Sequence, residues 1–203
     1  MKKVLLTMNY AATFMTEAWF ETEMRTVIQL KKEGLTRAEI LEKLIEENTF
    51  QMRSVDSIKA RFQLVYRRVN ALDEELSNLF LQSHAYDMKA INLYTFLKIY
   101  RIPYEFFLEV IVPNSQINQQ TFVRSDFYYF FEKKEVQSEI VMKWKESTKK
   151  RLISAMLQFF RESALINQED KNTFKIVPLH MSSELKEYAE KNDRLLSLMA
   201  TLK

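Results

Sequence analysis

Only one glycine, Gly34, and three prolines, Pro103, Pro113 and Pro178, punctuate the 203 residues of this chain. Tight turns and hairpins rest on residues that tolerate positive φ or fix it, so so few of them direct a chain toward long helices with short polar connections. The same scarcity removes Walker and dinucleotide-type phosphate loops, which need several glycines to bring backbone amides against a pyrophosphate. Cysteine is absent, which excludes disulfides, thiolate nucleophiles and finger-type zinc sites. No staple is required either, because a chain of this length buries roughly 70% of its unfolded surface. The start, Met1 to Met8, is basic but carries too short an apolar run for a secretory signal, and no stretch reaches the ~18 apolar residues of a membrane span. A soluble, cytoplasmic protein is expected.

Helical spacing sets the elements. Trp19, Phe20, Met24, Val27, Ile28 and Leu30 predict a helix over 16–33, with Gly34 as a left-handed cap. Thr36 and Glu39 form a capping box for a short helix reaching Asn48, and Ser54 caps a longer one to about Ala71 with Ile58, Phe62, Val65 and Val69 inward. Helix, turn, short helix, connection and longer basic helix is the order of a helix-turn-helix element. Further helices are predicted over 73–81, 86–100 and 104–112. The polar stretch Pro113 to Gln120 then reads as a linker, dividing an N-terminal helical lobe, 1–115, from a C-terminal one, 121–203. In the second lobe, helices are expected over 126–134, 136–144, 147–164 and 183–202. A small β-hairpin spans Leu165 to Val177, so that helix and hairpin resemble the recognition helix and wing of a winged-helix domain. The fold class is mainly α: two helical lobes with helix-turn-helix-like elements and one small wing.

A net charge of +3 is mild, so any polyanion footprint must come from local clustering. Between Arg53 and Arg68, five bases, Arg53, Lys59, Arg61, Arg67 and Arg68, stand against one acid, Asp56. Arg61 and Arg68 lie seven apart on one flank of the apolar stripe, and Lys59, Gln63 and Arg67 follow at i, i+4, i+8 on the other, so the helix offers cations to phosphates on two sides. The alternative is a solvated face paired with the acids Glu39, Glu42, Glu46 and Glu47. A second basic run, Lys133 to Arg151, holds seven bases against three acids, among them Lys149, Lys150 and Arg151 beside the expected recognition helix, while Lys171 and Lys175 fall on the wing. Its alternative is a set of lysines that keep a helix soluble.

The aromatic runs Phe127 to Phe131 and Tyr104, Phe106 and Phe107 read as core rather than as platforms for unpaired bases. The two histidines, His84 and His180, are too distant in sequence for a local metal pair, and no serine has a paired base. No catalysis, metal, cofactor or small-molecule substrate is expected.

The segment Glu46-Glu47-Asn48-Thr49-Phe50-Gln51-Met52-Arg53-Ser54 resembles the signature of the BrxA family, the small helical component of BREX (bacteriophage exclusion) systems. Its flanks agree: Glu21 and Lys32-Glu33-Gly34-Leu35-Thr36 before it, Arg67-Arg68-Val69 with Leu72-Asp73 after it, and a closing helix from Leu157 to Ile166. The resemblance covers roughly residues 10–180 and departs from the family's usual arginine-leucine at Arg68-Val69. It implies a NusB-like helical fold and a non-catalytic, antiviral, double-stranded DNA-binding role beside other BREX proteins. The expected DNA-contacting residues are Arg53, Lys59, Arg61, Arg67, Arg68, Lys149, Lys150, Arg151, Lys171 and Lys175. The rival readings are a protein-protein adaptor within the defence complex and a NusB-like RNA binder.

Overall fold

The computed structural model describes residues 9–117 and 120–203. Met1 to Met8, read above for a secretory signal, and Asn118 and Gln119 of the polar stretch lie outside the described residues. The chain is mainly α with a small three-stranded antiparallel sheet, and it forms two compact units: Trp19–Ser83, and His84–Lys203 together with the described residues before Trp19.

In the unit Trp19–Ser83 four helices follow one another: α1 (Glu21–Lys32), α2 (Arg37–Glu46), α3 (Val55–Val69) and α4 (Glu74–Gln82). The caps are those the sequence spells out. Gly34 takes φ +88 after α1, Thr36 and Glu39 close a reciprocal capping box, Ser54 accepts from the Ser57 N–H, and Asp73 from the Leu76 N–H. α1 starts later than its periodicity predicts, because Phe20 sits in the left-handed region at φ 50 and Thr13–Thr16 form a separate 3-10 turn. Met24, Val27 and Ile28 of α1, Ile40 and Leu44 of α2 and Phe62 and Val65 of α3 are buried.

The other unit contains α5 (Ala85–Ile99), then α6 (Arg101–Phe106), which runs through a π-turn (Phe107–Ile111) into α7 (Val112–Gln116). After strand β1 (Thr121–Val123) come α8 (Arg124–Gln137), α9 (Glu139–Met142), α10 (Glu146–Glu162), β2 (Ile166–Gln168), β3 (Thr173–Ile176), α11 (Ser183–Asn192) and α12 (Arg194–Ala200). The expected hairpin is present as β2 and β3, and β1 joins it in the order β1-β3-β2, with Phe122 opposite Phe174. The single final helix expected over 183–202 is two, since the Asp193 carboxylate accepts from the Leu195 and Leu196 N–H groups and starts a new helix.

The lobe boundary expected at 115/121 falls elsewhere. Pro113 to Gln116 continue a helix instead of forming a linker, and the aromatic rings on either side share one core. Phe106 stacks on Phe127 at 4.1 Å and meets Phe122 at 5.8 Å, while Phe96 stacks on Phe159 at 3.8 Å. The expected aromatic runs are thus largely interior, with Tyr129 the exposed exception. The compact units part instead at Ala18/Trp19 and Ser83/His84.

Candidate nucleic-acid interface

Helix α3 presents its charges unequally. Ile58, Phe62, Val65 and Val69 are buried, and Arg61 and Arg68, at three- and four-residue steps among them, turn inward with the stripe. Arg68 is fully buried and donates to the Trp19 carbonyl at 3.4 Å. Arg61 is part-buried, bonds Glu23 of α1 at 2.9 Å and lies 5.4 Å over the Phe20 ring. The flank assigned to Arg61 and Arg68 is therefore a packing flank: a guanidinium at the core boundary finds its acceptors inside the protein, and Arg68 has no surface to offer a phosphate.

The opposite flank keeps its promise of exposure. Arg53, Lys59, Gln63 and Arg67 all reach solvent. Two cations not counted in the sequence reading border them. Arg37, at the start of α2, donates to the Gln63 side chain at 2.5 Å and lies 5.4 Å over the Tyr66 ring. Lys31, near the end of α1, donates to Asn70 at 2.9 Å and approaches the same ring from 5.9 Å. Tyr66 thus holds a cation from each of two other helices against α3, and both are exposed. Neither was legible from charge runs, because each stands alone in its own segment. The partner of Arg61 comes from α1, not from the acid row of α2 that the solvated-face reading invoked.

In the other unit the second basic run divides in the same way. Lys149 is buried and bonded to Glu146 at 2.6 Å and to Glu135. Burial alone would lower its ammonium, but the hydrogen bonds and charges of the two carboxylates outweigh that and hold it above its ordinary value. Its charge is matched internally, which removes it from the expected phosphate contacts. Lys134 is also interior, bonded to Glu105 at 2.9 Å and Glu109 at 2.5 Å. Lys150 and Arg151 remain exposed on α10 and, with Ser154 and Gln158, border a hollow of about 480 Å³ closed by Met15, Thr16 and Glu17.

Lys171 and Lys175 are exposed on the hairpin. Lys175 is on the outer face of the middle strand, between Thr121 and Asn167. Arg161 joins them by donating to Gln168 at 3.2 Å. The hairpin turn is fixed by Asp170, which accepts from the Asn172 and Thr173 N–H groups at 2.7 and 2.9 Å, and these bonds hold its carboxyl below the usual range. Glu162, Glu169 and Asp170 are as many acids in this segment as Arg161, Lys171 and Lys175 are bases, so its charges balance.

The two histidines converge although their sequence distance is large. His84 stacks on Tyr86 at 5.0 Å, and His180 lies 6.3 Å from the same ring. Among the described residues no three His, Asp or Glu side chains gather as a metal site, and no helix is long and apolar enough to cross a membrane.

A model of the BrxA family matches residues 8–193. A BREX protein BrxA from Bacillus cereus (strain H3081.97) is similar at 29% identity over 163 residues, which cover 80% of this chain and 82% of that one. The crystal structure of an uncharacterized protein from Magnetospirillum magneticum shares the fold, with a TM-score of 0.78 and 17% sequence identity over 94% of this chain and 97% of that one.

Proposed function

The chain belongs to the BrxA family, and from that membership we propose that it serves BREX phage defence as a non-catalytic component that holds double-stranded DNA by its phosphates, with little sequence preference. The observation that carries this reading is the exposed row on α3. Lys59, Gln63 and Arg67 succeed one another at about 6 Å along the helix axis, Arg53 extends the row at one end, and Arg37 and Lys31 widen it. Lysine, arginine, glutamine and asparagine are the side chains that reach phosphate oxygens, and such contacts position a duplex without reading its bases. Lys150, Arg151, Lys171 and Lys175 supply further contacts from the other unit.

A labelled duplex titrated across a salt series tests the reading. Binding weakens linearly in log salt, with a slope of about −0.9 per phosphate neutralised. Arg37, Lys59 and Arg67 changed together to Glu abolish retention while the melting temperature holds. Binding that ignores ionic strength, or that survives the triple change, removes the surface from consideration. Structured RNA that outcompetes the duplex at equal length replaces DNA as the ligand.

One observation favours the adaptor reading as a second role. Tyr129 and Val136, seven apart on one face of α8, are 62% and 90% exposed, and Ile140 and Met142 of α9 are each more than half exposed. Apolar side chains gathered at a surface mark protein contacts. Co-purification with other BREX proteins that is lost in Val136→Lys, by a chain that fails to retard DNA, makes this the primary function.

A further inference from the structure

One hollow in the unit that ends the chain lies apart from the charged surfaces. About 670 Å³ in volume, it lies between α12 on one side and the end of α5, α6, the π-turn and α7 on the other. Leu108, Val112, Leu195 and Leu198 make its apolar walls, and Tyr104, Lys98, Asp193, Arg194 and Ser197 its polar points. We propose that this cavity binds a small monoanionic amphiphile, an aliphatic or aromatic body carrying one carboxylate or sulfonate.

Three observations lead there. The volume and mixed lining are those of small-ligand sites, in which apolar walls surround a few fixed polar groups. Tyr104 is only 7% exposed and lines the cavity, and among the described residues its hydroxyl has no hydrogen-bond partner, which leaves its O–H for a group that accepts from it. The charges then set the sign of the ligand. The Asp193 carboxylate accepts from Tyr94 at 2.6 Å and from Lys98 at 3.5 Å, and its other oxygen caps α12. Lys98 and Asp193 cancel, and the exposed Arg194 leaves one positive charge in the lining. Tyr104 and Arg194 together match one anionic head, with the apolar body between Leu108 and Leu198.

The wall on the α6 side owes its shape to Pro113. Proline has no N–H to return to the Glu109 carbonyl, and the preceding turn widens, the Val112 N–H donating to Phe107 five residues back. Single π-turns within helices recur at functional sites, and this one sets Leu108 into the cavity. No small-molecule substrate is expected from the sequence; the site proposed is one for a ligand, with no reaction attached.

The probe is 1-anilinonaphthalene-8-sulfonate, added to the full chain and followed by fluorescence. Saturable binding at one site is expected, displaced by decanoate and at least tenfold less well by decyltrimethylammonium. Leu198→Trp fills the cavity and abolishes binding, Arg194→Glu weakens it at least tenfold, and Val136→Lys on the exposed face of α8 leaves it unchanged. Absence of saturable binding overturns the proposal, as do equal displacement by the cation and loss only in Val136→Lys. Should Leu198→Trp unfold the protein, the exposed Arg194→Glu decides alone: unchanged affinity there sinks the site. DNA retention plays no part in these readouts, so the DNA reading stands or falls separately.

Discussion

Arg67 and Lys150 reach solvent, whereas Arg68 and Lys149, each a single position away, turn inward. A step of one residue rotates a helical side chain by about 100°, so of two neighbouring cations one enters the packing and the other stays at the surface. Arg68→Ala removes a buried hydrogen bond and opens a cavity, and it lowers unfolding stability in urea by about 3 kcal/mol, whereas the exposed Arg67→Ala costs less stability and weakens duplex binding. Tyr10 gives a pH signature. Burial first, then the charge and hydrogen bond of Glu105, push its hydroxyl up to about 12. The unfolded chain ionises at the ordinary value of 10.0, so between there and about 12 it binds fewer protons than the folded protein and stability falls as pH rises. Melting temperatures of Tyr10→Phe against the parent protein show a shallower fall from pH 10 to pH 12. The apolar stripe of α3 was legible at this scale, but its edges were not. Arg61 and Arg68 sit where periodicity alone leaves inward and outward equally open, and their inward partners, Glu23 and the Trp19 carbonyl among them, come from elsewhere in the chain.

At the scale of the element, most of what the sequence announced it also delivered, because a cap is a local bargain among three or four residues. Thr36 and Glu39 satisfy each other's orphan groups whatever the rest of the chain does. Thr36→Ala is expected to cost about 1 kcal/mol and Thr36→Ser a few tenths, read as shifts in the urea midpoint at constant slope. The Glu39 carboxyl is held below its ordinary value by its side-chain and backbone hydrogen bonds to Thr36. Its contribution is therefore present above the ordinary glutamate range and disappears as pH falls through the lowered folded value, so the gap between parent and Thr36→Ala narrows in acid. What stayed hidden depends on distant partners or on too few residues. β1 is three residues long and exists because β3 offers it an edge. Asp193 interrupts an otherwise continuous helical pattern, held by Tyr94 from 99 positions earlier as well as by its own capping bonds.

At the scale of the whole molecule, the polar stretch near Pro113 suggested a boundary that the aromatic core overrules, since polarity marks where chain can be exposed and says nothing of which rings meet behind it. Of the expected DNA-contacting residues, Arg53, Lys59, Arg67, Lys150, Arg151, Lys171 and Lys175 are exposed, and they are distributed over both compact units. Whether one duplex engages both is a question that the slope of binding against salt answers, because counterion release counts phosphates and is blind to where on the protein the cations sit. Neutralising Arg37, Lys59 and Arg67 to Ala shallows the slope by about 2.7, and Lys150 with Arg151 by about 1.8, if each side chain covers one phosphate. Simultaneous engagement makes the two decrements sum in the five-fold variant. A second pair that leaves the slope untouched, with the fold intact by circular dichroism, confines the DNA surface to α3 and its neighbours Arg37 and Lys31, and leaves the basic face of α10 to serve another partner.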